Sequence, residues 1–372
     1  MTRHEPLAAT AYPFHRFSGS HLEVGRQYGE QCRDLIVRHY ELAIERLGAQ
    51  TGLTAEDAHD RALEYRGHVQ RHAGFLDEEI QGLAEGARLS LGQAYLLQLR
   101  AELNQARGDQ VDDECTTFAA LSEATADGAA LAGQNADLPS IYSELGVVVQ
   151  IAAGDRPEVL MLTPAGQISY IGINDVGVCV FGNFLTCDGW RVGFPRYLLT
   201  RLVLAHGSIG DALATLDGVP RASSRNLMML DASETAADLE TTPTRSAVLE
   251  PEDGWLAHSN HYVADELTAE ETADPVRLEN SRTRLDRIRQ LLAGRRGELD
   301  ARTMAGLFRD RANFPHALCV HPGDREGIDT ITFASVIAEP SRGRMWVSSG
   351  PPSENEYRCF SFADGDRHEA RL

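Results

Sequence analysis

The sequence predicts an α+β fold in which sheets lie sandwiched between helices, and three observations carry this. Residues 20–107 repeat apolar positions at helical spacing. After Cys115 the pattern changes to short apolar runs separated by turn signals. Helical stretches then return at 195–217 and 276–312, with strands between and after them.

In the first segment, HLEVGRQYGEQCRDLIVRHYELAIERLG sets Leu22, Val24, Leu35, Ile36, Leu42, Ile44 and Leu47 at roughly helical spacing. DEEIQGLAEGARLSLGQAYLLQLRAEL continues that period, and its acidic opening suits a helix N-terminus. Gly108 and the polar run DQVDDE end it. TTFAALS and GAALAGQNAD flank the turn EATADG, and LGVVVQIAA, EVLMLTPAG, QISYIGIN and GVCVFGNFL follow as strands. PRYLLTRLVLAHGSIGDALATLD reads as helix, and NLMMLDAS, ADLETT and WLAHSNHYV as strands. An arginine-rich helical stretch leads to the closing strands TITFASVIAEP and RMWVSSG.

Composition narrows the function classes. The chain has 372 residues and a net charge of −20, which opposes a nucleic-acid or anionic-membrane surface. It contains no lysine, so every basic side chain is arginine. That removes P-loop, Schiff-base and pyridoxal-anchor chemistry, and no cofactor or metal is expected. The N-terminal stretch lacks the apolar core of a signal peptide, and no run approaches the ~18 apolar residues of a membrane span. Six cysteines without a CxxC pair read as reduced thiols in a cytoplasmic protein.

Cys115 stands where the acidic run ends and an apolar strand begins. One reading is a buried core thiol. The other uses the position: the thiol attacks the carbonyl of Glu114, the thioester hydrolyses, and Cys115 becomes a new N-terminus. Its α-amine, with an ordinary pKa near ~7.7–8.0, then serves as base for its own thiol. In AHSNHYV, His258 and His261 lie three apart on a strand, so they point to opposite faces and do not suit a shared zinc. Asn260 between them is a structural amide or an oxyanion donor. Asp137, in GQNAD, is by itself a turn acid.

Together, ECTTF, GQNAD, GINDVGVCVFGN, AHSNH and ENEYRCFSF occur in the order and approximate spacing of the penicillin acyltransferase family of N-terminal-nucleophile cysteine hydrolases. The helical stretch before Cys115 also resembles that family's pro-segment. The resemblance runs from about Gly19 onward and implies a four-layer αββα sandwich. It implies a helical pro-segment, 1–114, cut from a catalytic domain, 115–372, the two remaining together as a heterodimer. Cys115 matches the family's nucleophile and Thr117 a threonine near it. Asp137 matches an aspartate used in self-cleavage and substrate holding, and Asn260 an asparagine whose amide donates to the oxyanion. Asn183 matches a pocket asparagine able to give a second donor.

Two positions depart from the fungal acyltransferase. Glu114 replaces the glycine before the nucleophile, and Val320 replaces an arginine that holds substrate. Valine cannot pair with a carboxylate, so the expectation is a small-molecule substrate that is neutral or cationic rather than penicillin-like. The function implied is an amidase working through acyl-Cys115. The alternatives are an acyltransferase from a thioester or amide donor to an amine, and an unprocessed homologue used only for binding.

Overall fold

The computed structural model describes residues 11–104, 114–363, 365–367 and 372. Most of the acidic run, 109–113, lies outside them. Two sheets form the centre. The first has eight strands in the spatial order β1 (Phe14–Gly19), β4 (Gly146–Ala153), β5 (Val159–Pro164), β6 (Ile171–Asn174), β7 (Val178–Phe181), β8 (Arg225–Asp231), β9 (Ala236–Thr241) and β10 (Ser246–Leu249). The second has seven: β11 (Trp255–His258), β2 (Glu114–Ala120), β3 (Leu131–Pro139), β12 (Thr330–Glu339), β13 (Arg344–Ser349), β14 (Tyr357–Ser361) and β15 (Gly365–Arg367). All pairings are antiparallel except β1 against β4, which is parallel.

Helices cover both outer faces. Before the acidic run come α1 (His21–Gln31), α2 (Arg33–Thr51), α3 (Ala55–Glu64), α4 (Arg66–Ala87), α5 (Leu91–Gln98) and α6 (Arg100–Asn104). They share a core with α7 (Leu199–Leu204), α8 (Ile209–Asp217) and one face of the eight-stranded sheet, through Ile36, Leu83, Val149 and Met229. On the other side, α9 (Pro275–Ala293) and α10 (Ala301–Leu307) pack on the seven-stranded sheet through Phe118, Ile288, Met304 and Ile337. A third core, with Cys115, Ala136, Leu160, Phe181 and Val336, lies between the sheets. The layers are therefore αββα. Because each sheet is covered on both faces, β2, β3, β8 and β12 are buried at every position instead of alternating.

Local chemistry sets the helix boundaries. Ser20 caps α1 in a reciprocal pair with Glu23, and Ser90 does the same with Gln93 at α5. Asp274 accepts from the first free N–H groups of α9, and Pro275 opens it. The acidic stretch expected at a helix start falls inside α4, but Ala73 leaves helical geometry (φ −153°, ψ 60°). Asp77 and Glu79 thus follow a kink. Both are buried and paired, Asp77 with Arg66 and Tyr95, Glu79 with Arg201. α1 and α4 touch backbone to backbone: a Cβ at Gly25 would stand 2.1 Å from the Glu79 carbonyl oxygen.

β1 is not among the elements read from the sequence. It gives the stretch before Cys115 a strand as well as helices, and Tyr12 just before it donates to the Phe333 carbonyl at 2.7 Å in the opposite sheet. The first segment therefore shares its cores with the rest of the chain. All six cysteines are buried. No helix among the described residues is long and apolar enough to cross a membrane.

Candidate active site

Cys115 is the second residue of β2, and its side chain belongs to the core between the sheets. Its main chain is held by side chains on both sides. The Cys115 N–H donates to Asn260 Oδ1 at 2.7 Å. The Cys115 carbonyl accepts from Arg284 Nη1 at 2.6 Å and Asn183 Nδ2 at 3.0 Å. Thr117, on the same face two residues on, donates to Asn183 Oδ1 at 2.8 Å, which fixes that amide's orientation. The structure thus gathers Cys115, Thr117, Asn183 and Asn260, four residues spread over nearly 150 positions of sequence.

Asn260 meets Cys115 through its oxygen. Its Nδ2 donates to the Phe184 carbonyl at 3.0 Å, while Oδ1 also accepts from Arg284 Nη2 at 2.8 Å. In this geometry it holds the main-chain nitrogen of Cys115, not an oxyanion. The Asn260 N–H is anchored on Ser281 Oγ, which also bonds His261 Nδ1; both contacts are 2.7 Å. Burial pushes His261 down to about 3, so it is neutral at ordinary pH. His258 faces the other way, its Nε2 2.7 Å from Glu240 Oε1. Burial opposes its charge, but Asp238 and Glu240 prevail and lift it to about 9. Strand β11 ends at His258, so His261 lies in the segment beyond it and not on the strand expected, and Ser259 links the two rings, its carbonyl 2.7 Å from His258 Nδ1 and its hydroxyl 3.3 Å from His261 Nδ1; among the described residues no group of three could hold a metal.

Alternation along β2 places Glu114 on the face opposite the thiol, toward α9. Glu114 pairs with Arg325 at 2.8 Å and lies 4.0 Å from Arg284. Burial raises its pKa, yet Arg284 and Arg325 outweigh that and hold the carboxyl below its usual range. Directly across the ladder from Glu114 is Asp137. Its Oδ1 accepts from Thr332 at 2.7 Å, and its Oδ2 has no partner. Burial pushes it up to about 7 despite Arg284 nearby, so near neutral pH it carries a proton part of the time.

Val320 is buried, and its main chain bonds Thr332 in both directions, so it supports Asp137 at one remove. The loss of an arginine at 320 does not leave the site without cations. Arg325 reaches Glu114, and Arg284 sits fully buried at the centre. Arg284 is the residue that sequence reading missed. Its signal lay in the spacing of α9, where Ser281, Arg284, Leu285, Ile288 and Leu292 form the buried stripe. An arginine on such a stripe is a buried cation and needs acceptors.

A cleft of about 430 Å³ lined by Asp175, Pro340 and Arg342 lies at the other end of the strands and includes none of these residues.

A family model described as acyl-coenzyme A:6-aminopenicillanic acid acyl-transferase matches residues 124–354, more than half of the chain. Over 358 residues the chain is 27% identical to the acyl-coenzyme A:6-aminopenicillanic-acid-acyltransferase of Emericella nidulans, covering 95% of this chain and 97% of that protein. Among solved structures it is similar to an arginine-to-leucine variant of conjugated bile acid hydrolase from Clostridium perfringens, at TM-score 0.47 and 14% identity, covering 69% of this chain and 100% of that one. It is also similar to the Caenorhabditis elegans N-acylethanolamine-hydrolyzing acid amidase ortholog, at TM-score 0.44 and 12% identity, over 61% and 93% of the two chains.

Proposed function

From a chain that belongs to the acyl-coenzyme A:6-aminopenicillanic acid acyl-transferase family, we propose an enzyme that cuts itself at Glu114–Cys115 and then breaks amide bonds through acyl-Cys115. The observation that carries this is the clamping of the Cys115 main chain by Asn260, Asn183 and Arg284. Asn260 fixes the nitrogen that cleavage would turn into an α-amine, and Asn183 and Arg284 fix the carbonyl on the other side of the residue.

In maturation, the Cys115 thiol adds to the Glu114 carbonyl carbon, the C–N bond breaks, and the thiol proton passes to the Cys115 nitrogen. Asp137, opposite Glu114 and able to carry a proton near neutral pH, is suited to relay it. Water then hydrolyses the thioester, releasing the Glu114 carboxylate and regenerating the thiol. In turnover, the α-amine accepts the thiol proton as sulfur adds to the substrate carbonyl. The leaving amine takes that proton, and water completes hydrolysis of acyl-Cys115. Asn260 holds the amine through Oδ1. A turn of its amide off Phe184 would free Nδ2 for the oxyanion.

After the cut, the two chains are held together by the β1–β4 ladder, the Tyr12–Phe333 bond and the buried Glu79–Arg201 pair, whose two contacts are each 2.7 Å. The enzyme is placed in the cytoplasm, acting on small-molecule amides. A second reading, transfer of the acyl group to an amine, is favoured by the acyltransferase description of the family and of the Emericella relative.

Intact-mass measurement of fresh and aged protein tests the cut, with chains ending at Glu114 and starting at Cys115 expected. Cys115→Ala is expected as one uncut chain without turnover, and Cys115→Ser as a slowly cutting one. A single uncut wild-type chain that nevertheless binds small amides would favour the non-catalytic homologue. Turnover with and without added amine acceptor separates hydrolysis from transfer.

A further inference from the structure

Asn260 lies beyond the end of β11, in a segment outside any strand, yet its Oδ1 meets the Cys115 N–H at 2.7 Å. Ser281 on α9 holds the Asn260 N–H from one side. From the other side the segment rests on a single carboxylate. Glu240, next to last in β9, is fully buried. Its Oε1 lies 2.7 Å from His258 Nε2 and accepts from the Val263 N–H at 2.6 Å, and its Oε2 accepts from the Ala264 N–H at 3.1 Å. Glu240 thus grips the segment before and after Asn260. The next residue of β9 adds a fourth tie, its Thr241 carbonyl accepting from the Tyr262 hydroxyl at 3.0 Å.

The chemistry of this grip is specific. His258 Nδ1 lies 2.7 Å from the Ser259 carbonyl oxygen, so both ring nitrogens face acceptors and both carry hydrogen. The ring is an imidazolium. A carboxylate has only lone pairs to offer and takes all three bonds, whereas a glutamine there would turn its NH2 group toward one of the donors. Burial raises the Glu240 pKa, but His258 and the two N–H groups outweigh that and keep the carboxyl below its usual range. Asp238 lies on the same face of β9 and accepts from Asn226 Nδ2. Asn226 exchanges main-chain bonds with Asn183 at 3.1 and 3.2 Å. One strand therefore stands behind both asparagines that hold the Cys115 main chain.

A buried ion pair is often no more stabilising than apolar side chains of the same volume, so stability alone does not account for this one. Resting on the reading that Cys115 becomes the amine-bearing nucleophile, we infer that Glu240 is a positioning residue. Acting through His258 and the Val263 and Ala264 N–H groups, it sets the distance between Asn260 Oδ1 and the Cys115 nitrogen.

The full chain carrying Cys115→Ala gives a probe that needs no turnover: hydrogen exchange of the residue 115 amide, whose acceptor is Asn260 Oδ1. Adding Glu240→Gln should speed that exchange by about tenfold, while the amides of Phe118 and Ala120 in the same strand keep their rates. Adding it on top of Asn260→Ala should change residue 115 no further. In the chain with Cys115 intact, Glu240→Gln should slow the self-cut, followed by intact mass, by about ten- to a hundredfold. His258→Gln removes one contact of the three and should show the same pattern more weakly; it stands in where Glu240→Gln fails to fold. Unchanged exchange at residue 115, an equal rise along all of β2, or a further rise on top of Asn260→Ala would overturn the assignment. A Glu240→Gln chain that cuts at the wild-type rate would do the same. A wild-type chain that never cuts, while the residue 115 amide still responds to Glu240→Gln, overturns the self-cutting reading and supports the positioning contact.

Discussion

On the outer face of β2, Arg284 and Arg325 stand beside Glu114 and Asp137. At the end of the other sheet, Arg196 and Arg225 stand beside aromatic rings, and the one carboxylate bonded there, Glu102, meets the Arg196 main-chain N–H rather than its guanidinium. The first pair has its charge met from within the chain, and every nitrogen bond of Arg284 goes to a named acceptor: the Cys115 carbonyl, Thr116, Asn260 and Asn280. In the second, all three guanidinium nitrogens of Arg196 and two nitrogens of Arg225 are buried without a hydrogen-bond partner. Two clusters with equal numbers of arginines thus differ: the first fixes atoms in place, and the second leaves its N–H edges unmet.

If that contrast is right, substitutions in the two clusters should differ in sign. Arg284→Met should be the most damaging change. It leaves Glu114 with one partner and the Cys115 carbonyl with one donor, costing about 3–5 kcal/mol as expected for breaking a buried charge network. Denaturant melts and intact mass should show lower stability and no cut chain. A stable, cutting Arg284→Met protein would erase the distinction from Arg196→Met.

The next effect separates the two roles of Asn260. Asn260→Ala should lower turnover by ~10²–10³. Asn260→Asp keeps an acceptor for the Cys115 nitrogen and loses the donor. Near-normal kcat in the aspartate variant means that Asn260 holds the amine, whereas a loss as deep as alanine's assigns it to the oxyanion.

Asp137 sharpens the outer cluster through pH. Its folded pKa of about 7 lies above the ordinary carboxyl value, so its contribution to stability is fully present below about pH 4. It is lost as pH rises through about 7. Asp137→Asn removes the titration, so its stability relative to wild type should climb between pH 4 and 7 by a few kcal/mol, of order 3–4. A difference flat across that range would mean that the carboxyl is not held protonated. The smallest effect belongs to His261, which steadies Ser281 from behind. His261→Gln should cost less than about tenfold in kcat, with no metal lost; a collapse together with released metal would reopen the zinc reading.

Much of this was legible in the residues. Each apolar run read as a strand contains one, the stretch before Cys115 is mostly helical, and Cys115, Thr117, Asn183 and Asn260 lie within hydrogen-bond reach of one another. What was not legible depended on distance in sequence or on sign. β1 pairs with β4 across about 130 residues, and no local pattern announces a parallel edge partner. Strand β10 is short and half exposed, so its period is faint. The Val320 argument looked near position 320 for a replacement cation; Arg325 is one, but Arg284, far along the chain on α9, is the cation that bonds the Cys115 carbonyl. Whether an arginine is paired is a fact of three-dimensional neighbours, which composition and spacing do not carry.

β1 has a consequence for how such a molecule can be made. It covers the long flank of Gly146–Ala153, GVVVQIAA, apolar but for Gln150, whose backbone groups would otherwise stand open as a template for another chain. The cut proposed at Glu114–Cys115 would sever the peptide without uncovering that flank. The first segment would then be a permanent edge guard rather than a disposable leader. Residues 115–372 made alone would meet one another along β4 and aggregate, and the same chain made with its first segment in trans would stay in solution.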